Sequence, residues 1–195
     1  MKYQIIYLNG PSSSGKTTLA KALQEALETP FLHIGIDKVI GLMPEKVNNW
    51  TGGDAPLGFS WKVYTDSDGH PIQELQVGPF ARKISDTFVE MVVRLAQLGH
   101  SLIIDDVALT ERELNEWKQR LKGFQVLYVG VKAPLADIEQ REKLRGNRML
   151  GSARAQFQKL KYGYYYDLII DTSELTLKQC VNSIVTKGSK ETETA

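Results

Sequence analysis

Short apolar runs closed by turn residues recur along the chain at Ile5 to Leu8, Phe31 to Ile36, Leu102 to Ile104, Val126 to Val131 and Leu168 to Ile170. Continuous apolarity without alternation predicts strands buried on both faces, as in a parallel sheet. Between these runs, apolar positions return every three or four residues over Thr17 to Leu27, Pro79 to Leu98, Glu111 to Leu121, Leu135 to Leu144 and Leu175 to Val185. That spacing predicts helices with one buried face. Strands alternating with helices predict an α/β fold, a three-layer sandwich whose mainly parallel sheet is covered on both sides.

The rhythm breaks between Met43 and Gly78, a stretch holding Gly52, Gly53, Gly58 and Gly69. Phe59, Trp61 and Val63 alternate up to the turn-prone Asp66-Ser67-Asp68-Gly69, and Ile72, Leu75 and Val77 follow, so a β-hairpin insertion over 44–78 is expected. It is too rich in aromatic and apolar residues for a linker. Two readings stay open, a pocket for an acceptor molecule and a decorative surface hairpin. The polar tail 188–195 has no periodicity and is expected to be disordered, leaving one domain over 1–187.

A length of 195 residues suits one domain at roughly 100 to 200 residues each. Hydrophobic residues at 42% and charged residues at 24% are ordinary for a globular chain and argue against disorder. The net charge of +1 comes from interleaved acids and bases, so no nucleic-acid partner is expected; only Arg141 to Arg154 is locally basic. Cys180 is the one cysteine and is read as a buried apolar residue. Neither a leader before the first strand nor an apolar run of about 18 residues is seen, so a cytoplasmic protein with no membrane partner is expected. Self-association into a homo-oligomer is left open.

Candidate chemistry begins at Gly10-Pro11-Ser12-Ser13-Ser14-Gly15-Lys16-Thr17, which satisfies G-x-x-x-x-G-K-[ST] between a predicted strand and a predicted helix. Glycines let successive amide hydrogens turn inward, and the helix start adds positive dipole, so phosphate oxygens are held by the main chain. Lys16 would bridge β- and γ-phosphates, where a contact charge pair is worth about 4 kcal/mol at an effective dielectric near 20. Thr17 would place its hydroxyl on Mg²⁺, and Thr18 follows on the helix beside the nucleotide.

Ser101-Leu102-Ile103-Ile104-Asp105-Asp106 is an apolar strand ending in carboxylates, and one of the two acids is expected to orient a metal-bound water. Asp37 follows the second strand and opens a helical stretch from Lys38 to Met43. It reads either as a helix N-cap or as a general base for an attacking hydroxyl. Arg141, Arg145 and Arg148 lie where a helix runs into a glycine-containing loop, a lid-like segment over 141–154. At least one is expected to close over phosphates. Arg112 and Arg120 read as surface residues, no histidine reads as a zinc ligand, and Tyr162, Tyr164, Tyr165 and Tyr166 read as packing.

These motifs in order resemble the chloramphenicol phosphotransferase family, within the P-loop nucleoside-kinase-like group. The resemblance runs from Tyr3 to about Val185. It rests on Ile5-Ile6-Tyr7-Leu8-Asn9-Gly10 with the loop, Gly35-Ile36-Asp37, Ile103 to Val107, Val129-Gly130-Val131, Arg141 with Gly146-Asn147-Arg148, and Asp167 to Thr172. It implies a five-stranded parallel sheet, ATP as donor, Asp37 as catalytic base, Arg141 and Arg148 near the donor phosphates, and Thr172 near the adenine. It does not carry the acceptor, so antibiotic resistance is one role among several.

The expectation is therefore a Mg-ATP-dependent kinase acting on a hydroxyl of a small molecule. Kinases for shikimate, gluconate, nucleotides or adenylylsulfate share the pattern. A GTPase would need Asn-Lys-x-Asp, which the chain lacks. A polynucleotide kinase would need a basic acceptor channel. A non-catalytic ATP-binding regulator is the non-enzyme alternative.

Overall fold

The computed structural model describes residues 1–146, 149–163 and 165–189. Strand β1 (Ile5–Asn9) leads through a loop into α1 (Lys16–Ala26), followed by β2 (Phe31–Gly35) and the short α2 (Ile36–Ile40). A one-turn 3-10 helix (Glu45–Val47) precedes the hairpin strands β3 (Phe59–Thr65) and β4 (Pro71–Val77), then the long α3 (Pro79–Gln97). The chain continues through β5 (Ser101–Asp106), α4 (Glu111–Arg120), β6 (Val126–Lys132), α5 (Leu135–Arg145), α6 (Ser152–Lys159), β7 (Leu168–Asp171) and α7 (Leu177–Ser189).

Five strands form one parallel sheet in the order β2-β5-β1-β6-β7. β1 is central and every residue of it is buried, which is why its sequence shows no alternation. The pleat still sorts its side chains. Ile6 and Leu8 pack with Leu19 and Leu23 of α1 and Ile184 of α7. Ile5 and Tyr7 pack with Phe88 and Val92 of α3 and Leu114 and Trp117 of α4. Leu8→Ala is expected to cost about 2–5 kcal/mol of stability in urea unfolding, through lost burial plus the cavity left behind.

Two boundaries depart from the sequence reading. β2 stops at Gly35, and Ile36, expected in the strand, is the first residue of α2. The N-cap of α2 is Gly35, so Asp37 lies inside the first helical turn and is not the cap. At the other end, α7 runs on through Gly188 and Ser189, where disorder was expected. Gly188 is buried against the Met1 side chain, and the Lys2 amide donates to its carbonyl at 3.3 Å. The rest of the expected tail lies outside the described residues. No described helix is long and apolar enough to cross a membrane.

The expected hairpin forms, with Phe59 opposite Val77 and Thr65 opposite Pro71. Its foot is buried with Met43 and Ala81, and β4 lies along α6, where Gln73 donates its amide to the Gly151 carbonyl at 3.3 Å. The turn is tied down by Asp66. One carboxylate oxygen accepts from the amides of Asp68 and His70 at 3.0 and 2.8 Å. The other accepts from Arg154 at 3.1 Å and Gln158 at 2.8 Å, both on α6. Burial pushes the Asp66 carboxyl up, but these donors outweigh it and hold it down at about 2.

A carboxylate depressed in the folded state contributes stability that is present above its unfolded pKa, near 3.9, and lost as pH falls through about 2. Asp66→Asn is therefore expected to flatten the loss of stability between about pH 4 and pH 2, read as the urea midpoint of each protein across that range. Parallel curves for the two proteins would remove Asp66 from the acid response.

Candidate active site

β1 delivers Asn9 and Gly10 to the end of the sheet between β5 and β6, with Asn9 opposite Asp106 on one side and Gly130 on the other. The loop that follows fits only with glycine at its start: a Cβ on Gly10 would stand 2.2 Å from the Val131 carbonyl oxygen. Gly15 closes the loop with φ +98°, and Ser13 adopts φ 66°, a left-handed conformation that side-chain-bearing residues rarely hold. The Ser14 amide turns back to Pro11 O at 3.2 Å. Among the described residues the amides of Ser13, Gly15, Lys16 and Thr17 meet no protein acceptor, and neither do the buried hydroxyls of Ser13 and Ser14. An array of inward donors beside a helix start suits an anion.

Lys16 lies folded into this loop, its Nζ 2.9 Å from both Gly10 O and Pro11 O. Burial lowers its pKa, while the charges of Asp105, Asp106 and Asp37 pull it back up and Arg145 pushes it down. Lys16, both acids of β5, Asp37 and Arg145 thus share one electrostatic neighbourhood. Asp37 is exposed on the first turn of α2.

The two acids at the end of β5 point to opposite faces, as pleating requires. Asp105 faces the loop and accepts a hydrogen bond from the Thr17 hydroxyl at 2.6 Å. His33 Nε2 stands 3.6 Å from the same carboxylate oxygen, too far for a good hydrogen bond. Burial raises the Asp105 carboxyl, but His33, Lys16 and the Thr17 hydroxyl together hold it below its usual value. Asp106 turns into the other face, where it accepts from Tyr7 Oη at 2.9 Å and Trp117 Nε1 at 2.6 Å. Burial raises its pKa against those donors. Asp105 is thus built into the loop's surroundings and Asp106 into the core beneath α4.

A third group lines the opposite wall. Thr172, just after β7, donates its hydroxyl to Ser14 O at 2.8 Å and accepts from Arg141 Nη1 at 2.9 Å. Beside them lies a cavity of about 380 Å³ bordered by Ser13, Gly15, Thr18, Arg141, Thr172 and Cys180. Arg145 borders it too, at the exposed end of α5, while Arg148 lies outside the described residues. Tyr162 donates to Val131 O at 3.0 Å and Tyr166 accepts from Asn9 at 2.7 Å, so these tyrosines pack beneath the sheet end; Tyr164 lies outside the described residues. Arg112 and Arg120 pair with Glu116 and Glu90 on the surface.

Sequence reasoning passed over Asn9 as a working residue. Its side chain donates to Ala108 O at 2.8 Å and accepts from Ala108 N at 2.7 Å, fixing the chain after β5 against the start of the loop. The available signal was a polar residue closing an otherwise apolar strand. Nothing pointed to Gln156, whose Oε1 accepts from the Ser12 amide at 2.6 Å.

A family model described as chloramphenicol phosphotransferase-like protein matches residues 3–188. A Mycobacterium tuberculosis H37Rv protein provisionally named an O-phosphotransferase is 29% identical over 171 residues, covering 87% of this chain and 75% of that protein. A sugar kinase from Janibacter sp. HTCC2649, solved without ligand, superposes with TM-score 0.65 at 18% identity, covering 94% of this chain and 93% of that one. The Mycobacterium tuberculosis APS kinase CysC, solved with AMPPNP and APS, superposes with TM-score 0.60 at 14% identity, covering 95% and 97%. At those identities the two structures establish a shared fold.

Proposed function

The chain belongs to the chloramphenicol phosphotransferase-like family, and we propose that it transfers the γ-phosphoryl group of Mg-ATP to a hydroxyl of a small molecule. The observation that carries this reading is the Gly10–Thr17 loop with its open amides, Lys16 inside it, and Thr17 bonded to Asp105 at 2.6 Å. Open amides call for an anion, and the Thr17–Asp105 oxygens beside them call for a hard cation.

The residues fit Mg²⁺ bound together with a nucleotide. Thr17 Oγ1 offers a direct ligand, and Asp105, kept ionised below its usual pKa, offers an acceptor for a metal-bound water. Among the described residues no three His, Cys, Asp or Glu side chains converge on one point, so the remaining ligands would be phosphate oxygens and water. When bound, the ion would neutralise charge on the β- and γ-phosphates. Asp106 is left out of this assignment because its carboxylate is held by Tyr7 and Trp117.

The chain's own groups then divide the work. Lys16 would exchange its two carbonyl partners for phosphate oxygens, and Asp37 would accept the proton of the attacking hydroxyl. Arg141, which borders the cavity and bonds Thr172, would reach toward the donor phosphates, and Arg148 is assigned to the same role by its place in the sequence. Ser13, Gly15, Thr18 and Thr172 would border the nucleoside. The hairpin, with Trp50 stacked on Phe59 at 5.7 Å and tilted against Trp61 at 6.4 Å, would supply one wall for the acceptor.

The test is product mass after incubation with ATP, Mg²⁺ and a panel of hydroxylated small molecules, chloramphenicol included. A gain of one phosphoryl group on any member supports the reading and names the acceptor class. ATP binding with no product across a broad panel would make the protein a nucleotide-binding regulator.

A further inference from the structure

β2 lies at the edge of the sheet beside β5, with His33 opposite Ile103 and Gly35 opposite Asp105. Residues in register on parallel strands share a face, so the His33 and Asp105 side chains stand on the same side of the sheet, one diagonal step apart. Gly35 keeps the place between them clear. A Cβ on it would lie 3.5 Å from the Asp105 Cβ and 3.0 Å from the Asp105 carbonyl oxygen. With no side chain there, the imidazole comes forward until Nε2 is 3.6 Å from Asp105 Oδ2.

The roles assigned so far leave this group unused. The His33 side chain is 8% exposed, and its Nε2 is buried without a hydrogen-bond partner. A buried nitrogen lacking a partner costs stability, and an aliphatic side chain would fill the same space without that cost. The acceptor in front of it is the oxygen that already takes the Thr17 hydroxyl at 2.6 Å. A carboxylate oxygen has two lone pairs, enough for both donors. Hydrogen bonds in active sites are commonly long before ligands bind and tighten in the loaded complex.

We propose that His33 is a positioning residue for the metal-bound water, an assignment that rests on the Mg-nucleotide reading above. In the loaded site the His33 Nε2–H donates to Asp105 Oδ2 alongside the Thr17 hydroxyl. Two donors on one oxygen fix the rotation of the carboxylate, and Oδ1 is left to accept from the water on the cation. His33 itself meets neither phosphate nor acceptor in this arrangement, so its effect falls on the cation and not on the nucleotide.

The experiment titrates Mn²⁺, standing in for Mg²⁺ and read by electron paramagnetic resonance, into the full chain held in excess over ADP. Wild type, His33→Leu and His33→Gln are compared, with thermal melting to show that each is folded and calorimetry to give ADP affinity without metal. Leucine fills the space but donates nothing, so Mn²⁺ affinity is expected to fall at least about 10-fold while metal-free ADP affinity moves less than about 3-fold. Glutamine restores an N–H near the Nε2 position and should bring Mn²⁺ affinity back to within about 3-fold of wild type. A folded leucine variant with unchanged Mn²⁺ affinity, or a folded glutamine variant as weak as leucine, overturns the role of His33. A wild-type observable stands beside the variants: with ¹⁵N-labelled histidine, the His33 Nε2–H signal should exchange slowly and move downfield when Mg-ADP is added. His70 and His100 are exposed and exchange fast. A His33 signal that Mg-ADP does not move overturns the role even where a variant fails to fold. All of these results leave the kinase reading standing, whereas wild-type protein that binds no ADP with or without metal overturns both.

Discussion

Lys16→Ala is expected to lower phosphoryl transfer by about 10³-fold, roughly 4 kcal/mol of lost transition-state stabilisation, in a protein that remains folded. The ammonium is held at 2.9 Å by two loop carbonyls, Gly10 O and Pro11 O, which are weaker partners than phosphate oxygens. Its pKa is lowered by burial despite three carboxylates acting on it, so the folded protein already bears a cost for keeping the charge there. Removing the side chain removes that cost along with the catalytic charge, and the melting midpoint should change little. Arginine should not restore activity, because its planar fork cannot replace a compact ammonium beside the loop. Initial rates and thermal melts on the same preparations check both halves. A variant with normal turnover would show that the loop does not handle a transferred phosphate.

Asp37→Asn is expected to lower kcat by about 10²- to 10⁴-fold with a small change in KM for ATP, since it removes a proton acceptor while keeping shape and polarity. Its bland alternative, capping α2, is ruled out by position: Gly35 is the N-cap, and Asp37 sits in the first turn. There its charge adds only the modest helix-dipole benefit of about 0.3–1 kcal/mol. It also contributes to the field at Lys16, which places it in the acidic neighbourhood of the loop. Stability within that small margin, with kcat unchanged, would remove Asp37 from the chemistry.

What was legible in the sequence were the features encoded by long local signals. Five apolar runs and five periodic stretches encode the sheet and its main helices, and the spacing from Gly10 to Thr17 marks the loop. Short elements held by distant partners were not legible. α6 presents alanines to the core, and its first turn is satisfied by Glu142 from another helix, so its own sequence says little. The choice between Asp105 and Asp106 depends on which face of β5 meets Thr17 and which meets Trp117, a matter of tertiary register. Gln156 was invisible for the same reason: its partner is a backbone amide 144 residues away. Asn9 and Thr172 lie between these cases, since one closes apolar β1, the other directly follows β7, and both turn out to fix the walls of the loop.

The most direct measurement follows labelled γ-phosphate from Mg-ATP in the presence of an acceptor found in the panel, comparing wild type with Lys16→Ala. Label is expected on the organic acceptor, matched one to one by ADP, with the signal nearly abolished in the variant. Label appearing only as inorganic phosphate, or transfer that survives loss of Lys16, would contradict it.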